Sequence, residues 1–362
     1  MTTVKEIYNA IDGFAPFKRA ESWDNVGLLV GDPAAEVGGV LLSLDMTSDT
    51  LEEAHALGCN LIVTHHPVIF EPLKALTASS LIYRAARRGI SVICAHTNLD
   101  VAGYGVNFAL ADVLGLSLTA PLDVTAEEPY NKIIVFVPPQ ASEAVYEAMT
   151  AAGAGSLGRY GGCAFLSRGE GRFLPLEGAN PAQGRVGVPE QTEELRLEVI
   201  APEGATAAVV SAMLAAHPYE TPAYDVFENK ALARRVGLGL VGSLPEKMTP
   251  DQLAFWVQKR LGAKGLRYYA AKGPVERVAV CGGSGGSLLA KAIAKGAQAL
   301  VTGDVKHNVF LEAKQLGVTL IDAGHFATEN VVLPLLASQL EAARPGLPVR
   351  IARSSVDVLS YL

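Results

Sequence analysis

The stretch GCNLIVT at 58–64 and the stretch GAQALVT at 296–302 are two versions of one pattern. Each has a glycine, a small residue, an amide, an apolar run and a closing threonine. The likeness extends in both directions. VLLSL at 40–44 precedes the first copy and VAV at 278–280 the second, each followed by a helical stretch, 51–57 and 288–295. Downstream, RGISVICAH at 88–96 matches LGVTLIDAG at 316–324. Each half therefore reads strand, helix, strand, helix, strand. Short, near-continuous apolar strands alternating with helices indicate parallel sheets covered by helices. A duplicated α/β core with mainly parallel sheets is the simplest reading. The halves either pack face to face, or the second is a degenerate copy.

Between the copies the composition changes. KIIVFV at 132–137 reads as a strand and 142–152 as an amphipathic helix with Val145 and Met149 on one face. A glycine-rich stretch with short strand candidates follows, then the alternating strand LRLEVI at 195–200 and a helix over 205–216. This β-α-β then β-α-β order suggests a ferredoxin-like α+β insert. The expected domains are 1–128 and 236–362 for the two halves of the core, and 129–235 for the insert. An insert whose ends return to one place leaves its host fold intact. Near residue 1, Val4, Ile7, Tyr8 and Ile11 predict an opening amphipathic helix, with Thr3 and Glu6 as its capping box and Gly13 and Pro16 as its stop.

In parallel α/β sheets ligands gather beyond the carboxyl ends of the strands. His65 and His66 follow the strand ending at Thr64, and Asp45 follows 40–44. His96 and Asp100 follow 91–94, and His325 and Glu329 follow 318–321. Five of these are typical metal ligands: His65, His66, Asp100, His325 and Glu329. Adjacent residues of a continuing strand point to opposite faces. At a strand end, where Pro67 stops ladder pairing, two neighbouring histidines can diverge toward two ions. His325 and Glu329, spaced i and i+4, share one face of a helical turn. Mixed imidazole and carboxylate ligation suits Zn, Fe or Mn and does not choose among them.

Other features carry less. His55, within a helix, and His217, in HPYE at 217–220, are read as ordinary structural histidines. GGSGG at 282–286 follows a strand and precedes a helix, either as an anion cradle or as a tight turn. No G-x-S-x-G elbow supports a serine hydrolase. Cys59, Cys94, Cys163 and Cys281 are scattered and form no CxxC pair, which fits reduced thiols in the cytoplasm. The formal charge of -7 argues against a nucleic acid partner. No apolar run approaches the roughly 20 residues of a membrane span, and no secretory signal is recognised.

Six motifs then occur in order: WDNVGLLVG at 23–31, THHPVIF at 64–70, HTNLD at 96–100, VCGGSG at 280–285, TGD at 302–304 and DAGHFATE at 322–329. Together they resemble the Nif-three-like dinuclear metal protein family, catalogued as GTP cyclohydrolase 1 type 2, in its long form with a PII-like insert. The resemblance spans nearly the whole chain. It implies two divalent ions per subunit on His65, His66, Asp100, His325 and Glu329, with the glutamate bridging both. It also implies a toroidal homohexamer. Asp45, His96 and Asp304 are the candidates for orienting these ligands. One departure stands out: the family's histidine four residues after the TGD aspartate is Asn308 here, with His307 one place earlier.

The resemblance implies a metal-dependent hydrolase of a nucleotide or another small molecule. For a GTP-like substrate, water activated by the metals would attack the electron-poor C8 of the imidazole ring. The alternative class is a metal-binding or regulatory scaffold with a metabolite-sensing insert, since fold and metal site do not specify a substrate.

Overall fold

The first helix, Val4–Phe14, begins where the capping pair predicts: the Thr3 side chain accepts from the Glu6 N–H, and the Glu6 carboxylate accepts from the Thr3 N–H. Val4, Ile7 and Ile11 are fully buried along its inner face. Gly13 lies inside the last turn rather than ending it, and the cap falls at Ala15. The computed structural model describes residues 2–157 and 160–361.

Within the described residues the strands are β1 (Gly27–Val30), β2 (Val40–Ser43), β3 (Leu61–Thr64), β4 (Ser91–Cys94), β5 (Ser117–Val137), β6 (Ala164–Phe173) and β7 (Glu190–Pro202). They continue with β8 (Tyr224–Met248), β9 (Arg267–Tyr269), β10 (Val275–Val280), β11 (Ala299–Thr302), β12 (Thr319–Asp322) and β13 (Val349–Ile351). The chain divides into two compact units, one of residues 1–126 with 235–362 and one of residues 127–234.

The larger unit is mixed α/β with two mixed sheets. The first has the order β1-β4-β3-β2-β13, with β4, β3, β2 and β13 parallel and β1 antiparallel at the edge. In the second, β10, β11 and β12 are parallel, flanked by antiparallel β8 and β9. Every residue of β2, β3, β4, β11 and β12 is buried. That is why these strands read as continuous apolar runs and not as alternating ones.

The two copies are interlocked. After β4 the chain makes the short helix Thr97–Val101 and then the helix Val106–Val113, whose Leu110 and Ala111 pack with Val278 and Val280 of the second sheet. After β12 it makes the short helix His325–Glu329 and then Val332–Ala343, whose Leu333, Leu336 and Leu340 pack with Val40 and Leu42 of the first sheet. The chain then adds β13 beside β2, pairing Val349 with Val40. The sequence reading placed 236–362 wholly in the second half. Its last strand in fact completes the sheet of the first half.

In the smaller unit β7 pairs antiparallel with both β5 and β6. Among the described residues the glycine-rich region yields one ten-residue strand, β6, rather than several short ones. The helices Ser142–Ala151 and Thr206–Ala216 supply Val145, Met149, Val209 and Met213 to a core with Ile133, Val135, Leu197 and Val199. The unit's two chain ends meet: Arg234 donates from Nε to the buried Glu128 carboxylate at 2.9 Å.

The interlock makes an energetic prediction. Leu336 is 2% exposed, whereas Leu311 is 49% exposed. Leu336→Ala should lower stability by about 2–5 kcal/mol. Leu311→Ala should stay within about 0.5 kcal/mol. Urea titration followed by far-UV circular dichroism checks both.

Candidate metal centre

The carboxyl ends of the parallel strands of both sheets point into one place. His65 and His66 leave β3 at Thr64, and their backbone N–H groups donate to Ser43 and Leu44 of the neighbouring strand end, at 3.1 and 2.9 Å. Opposite them, the short helix after β12 carries His325 and Glu329. Glu329 is 4% exposed and lies among imidazoles. Its Oε1 stands 3.7 Å from His65 Nε2, and its Oε2 stands 3.0 Å from His66 Nε2 and 3.1 Å from His325 Nε2. Asp100, on the short helix after β4, sets Oδ1 3.5 Å from His65 Nε2. All five residues named from the sequence therefore gather here.

Each imidazole is held from behind. His65 Nδ1 faces the Ala95 carbonyl at 2.8 Å, and a carbonyl can only accept. His66 Nδ1 faces Asp45 at 2.8 Å and His325 Nδ1 faces Asp304 at 2.7 Å. With hydrogens on Nδ1, the neutral rings turn Nε2 lone pairs inward. His66 Nε2 and His325 Nε2 lie 3.3 Å apart, so two neutral rings would bring two acceptors together. Buried His65 Nε2, Asp100 Oδ1 and Glu329 Oε2 have no hydrogen-bond partner among the described residues. The approaches to Glu329 Oε2 have hydrogen-bond lengths but not hydrogen-bond directions. Converging acceptors with unsatisfied lone pairs favour a cation.

Protonation tells the same story. Burial disfavours a charge on His66, but Asp45 and Glu329 override it and push its pKa up to about 10. The Glu329 carboxylate beside it, against burial, lifts His325 to about 9. Burial raises the Asp100 carboxyl to about 6, against the pull of His65. Burial works against the Glu329 carboxylate too, yet His65, His325 and His66 hold it well below the usual range. The site gathers positive charge however it is supplied.

Two clusters among the described residues bring three ligating atoms within 4.8 Å of one another: His66 with His325 and Glu329, and His65 with His66 and His96. His96 thus stands at ligand distance. Its Nδ1 faces Asp24 at 2.9 Å, and Asp24 also accepts from the Thr97 N–H and hydroxyl. Burial opposes the Asp24 charge, but His96 and Thr97 hold its pKa at about 2. The sequence reading missed Asp24, although it sits in the quoted WDNVG motif. The signal was present: His96 and Asp100 repeat the spacing of His325 and Glu329, so whatever backs one histidine has a counterpart behind the other.

The glycine motifs make room. A Cβ on Gly283, which has φ +62°, would lie 2.2 Å from Glu329 Oε1. The N–H groups of Gly282, Gly283 and Gly285 donate to Asn107, Thr328 and Thr302 side chains, so GGSGG is a tight turn and not an anion cradle. A Cβ on Gly303 would sit 2.7 Å from the backbone of Gly324 and His325. The next residue, Asp304, holds a left-handed φ of +49° while it orients His325. Such strain in a non-glycine residue collects at functional sites.

The remaining candidates stay outside. His307 and Asn308 are exposed at the start of the helix His307–Leu316. His55 is exposed, and His217 caps the helix Thr206–Ala216 and bonds the Phe136 carbonyl at 3.0 Å. Burial pushes the Cys94 and Cys281 thiols well up, so neither is a thiolate ligand. No helix among the described residues is long and apolar enough to cross a membrane.

The sequence and the fold both match known proteins. The family model described as Duf34/NIF3 (NGG1p interacting factor 3) matches residues 2–357. A Bacillus subtilis protein named "GTP cyclohydrolase 1 type 2 homolog" is 37% identical over 99% of this chain and 98% of its own. A Mycobacterium tuberculosis protein of the same name is 39% identical over 97% of this chain and 95% of its own. Among solved structures, a Bacillus cereus protein related to NIF3 superposes with a TM-score of 0.68 at 36% identity, covering 100% of this chain and 99% of the other. With its two sheets, its interlocked copies and its cluster of histidines and carboxylates, the chain belongs to the Duf34/NIF3 family.

Proposed function

We propose that this protein is a dinuclear metal-dependent hydrolase. The placement of Glu329 carries the reading. One carboxylate oxygen faces His65 and the other faces His66 and His325, at distances of 3.0–3.7 Å. On this reading His65 and Asp100 would hold one ion and His66 and His325 the other, with Glu329 shared between them. The neighbouring histidines that follow β3 diverge to do so, their rings tilted 44° to each other. Imidazole and carboxylate donors suit Zn, Fe or Mn.

Two such ions, when bound, supply Lewis-acid activation of water and of a substrate oxygen or nitrogen. The chain does the rest. Asp45, Asp304 and the Ala95 carbonyl fix the ring orientations and raise ligand basicity. His96, backed by Asp24, can hold or pass a proton at Nε2. The half-open side chains of His66 and His325, 24% and 37% exposed, mark the side from which a substrate enters. The name carried by the relatives makes a purine nucleotide the first substrate to assay. The same proposal takes the smaller unit as ferredoxin-like and PII-like, supported by its β-α-β-β-α-β order, and the assembly as a homohexamer.

Metal analysis of unchelated protein should give two equivalents per chain, falling to one or fewer in Glu329→Ala. Two full equivalents in that variant would sink the bridging role. GTP and simple phosphoesters should be turned over by the metal-loaded protein and not by a His65→Ala, Glu329→Ala double variant. Turnover that survives in the double variant excludes catalysis here. Tight metal binding with no turnover of any substrate points instead to a scaffold.

The orienting residues give graded effects. Asp45→Ala or Asp304→Ala should weaken metal binding about 10- to 100-fold, read by competition with a chelating dye. Gly283→Ala adds one methyl, yet that methyl would lie 2.2 Å from Glu329 Oε1. It should cost metal affinity as heavily as Glu329→Ala while leaving the far-UV spectrum unchanged.

A further inference from the structure

Both tryptophans of the chain lie in the larger unit, and they differ sharply. Trp256 is half-buried and donates to the Leu114 carbonyl at 3.1 Å. Trp23 is 59% exposed, next to Phe70 at 58%. Two large apolar rings left side by side in water are a cost unless something covers them.

They are not loose. The Asp24 side chain, adjacent to Trp23, is fully buried against His96 and Thr97. The Glu21 N–H donates to the Thr97 hydroxyl at 2.9 Å. Asn25 Nδ2 donates to the Ile69 carbonyl at 2.6 Å, which ties the Trp23 loop to the Phe70 loop. The rings of Trp23 and Phe70 stand 6.0 Å apart and tilted by 56°, an open pair whose members do not stack on each other.

Their position is telling. The Trp23 ring is 6.2 Å from the His96 ring, which is 5.2 Å from that of His65 and 5.7 Å from that of His66. A row of rings therefore runs from the exposed pair into the metal-ligand cluster. A planar group lying on Trp23 has its edge within about one ring's width of His96.

We propose that Trp23 and Phe70 form the ring-binding platform of this site, taking the planar face of an aromatic heterocycle of nucleobase type. The proposal rests on the hydrolase reading and names its substrate class. The patch is two side chains wide, which suits a single ring system. An exposed indole face offers stacking area to the π-face of any nucleobase. The exposed neighbours Glu21 and Glu71 disfavour an anionic group at the outer rim, so any phosphate of the ligand points toward the metal end.

The test uses metal-loaded full-length protein carrying Trp256→Phe, so that Trp23 is the only fluorophore excited at long wavelength. Guanosine and GTP should quench the emission saturably, while ribose 5-phosphate and tripolyphosphate should not. Trp23→Ala, made in the otherwise native chain, should weaken guanosine binding in calorimetry on the order of ten-fold or more. Trp23→Phe should restore most of it, and metal content should stay at the wild-type value in both. Equal quenching by ribose 5-phosphate, or none by guanosine at intact metal content, overturns the platform while leaving the metal reading standing. A blue shift of Trp23 emission that grows with protein concentration, without ligand, also overturns it, because a second copy then covers the rings. Loss of metal in wild-type protein would instead strike the hydrolase reading itself.

Discussion

A carboxylate buried among three imidazoles is the constraint around which this molecule is arranged. Glu329 has little access to water, so its charge must be met by neighbours or by a cation. Meeting it demands that β3 of the first copy and the turn after β12 of the second end within a few ångströms of each other. That demand explains features that look unrelated in the sequence. Gly283 is bare because a Cβ would strike Glu329, and Gly303 is bare because the backbone leading into His325 passes against it. Asp304 accepts a strained backbone because its carboxylate must reach His325.

The duplication and the site explain each other. Both copies present a histidine and, four residues on, a carboxylate, from a short helix after the third strand: His96 with Asp100, and His325 with Glu329. Both histidines are backed by an aspartate, Asp24 or Asp304. Only the first copy adds a histidine pair after its middle strand; the second has Gly303 and Asp304 there. A symmetric ancestor would have offered two equal half-sites. The present chain merges them into one pocket with two unlike sides, His65 deeply buried and His325 open.

Much of this was legible in the sequence because it depends on local pattern. Apolar runs of three residues closed by a threonine gave β3 and β11, and the capping pair Thr3 and Glu6 gave the first helix. The ligand candidates followed from one topological rule, that chemistry sits beyond strand ends. What escaped depends on distant pairing. Nothing in VRI at 349–351 says that this segment joins β2 and not the adjacent second sheet. Asp24 lies 72 positions before His96, and its role appears only when the loop before β1 folds across β4. The glycine-rich loop was ambiguous for the same reason: its N–H groups are claimed by side chains as remote as Asn107.

The returning strand β13 has a bearing on how the chain is made. The first sheet lacks its outer parallel strand, and the face under Leu333, Leu336 and Leu340 lacks its cover, until residues 332–351 have joined it. A nascent chain that has emerged only as far as β4 carries His65 and His66 on an unfinished sheet, with no Glu329 to meet them. Contacts between segments so far apart form slowly, and their incomplete states expose apolar surface. The half of the site on the first sheet therefore stays open until the segment from β12 to β13 has joined it.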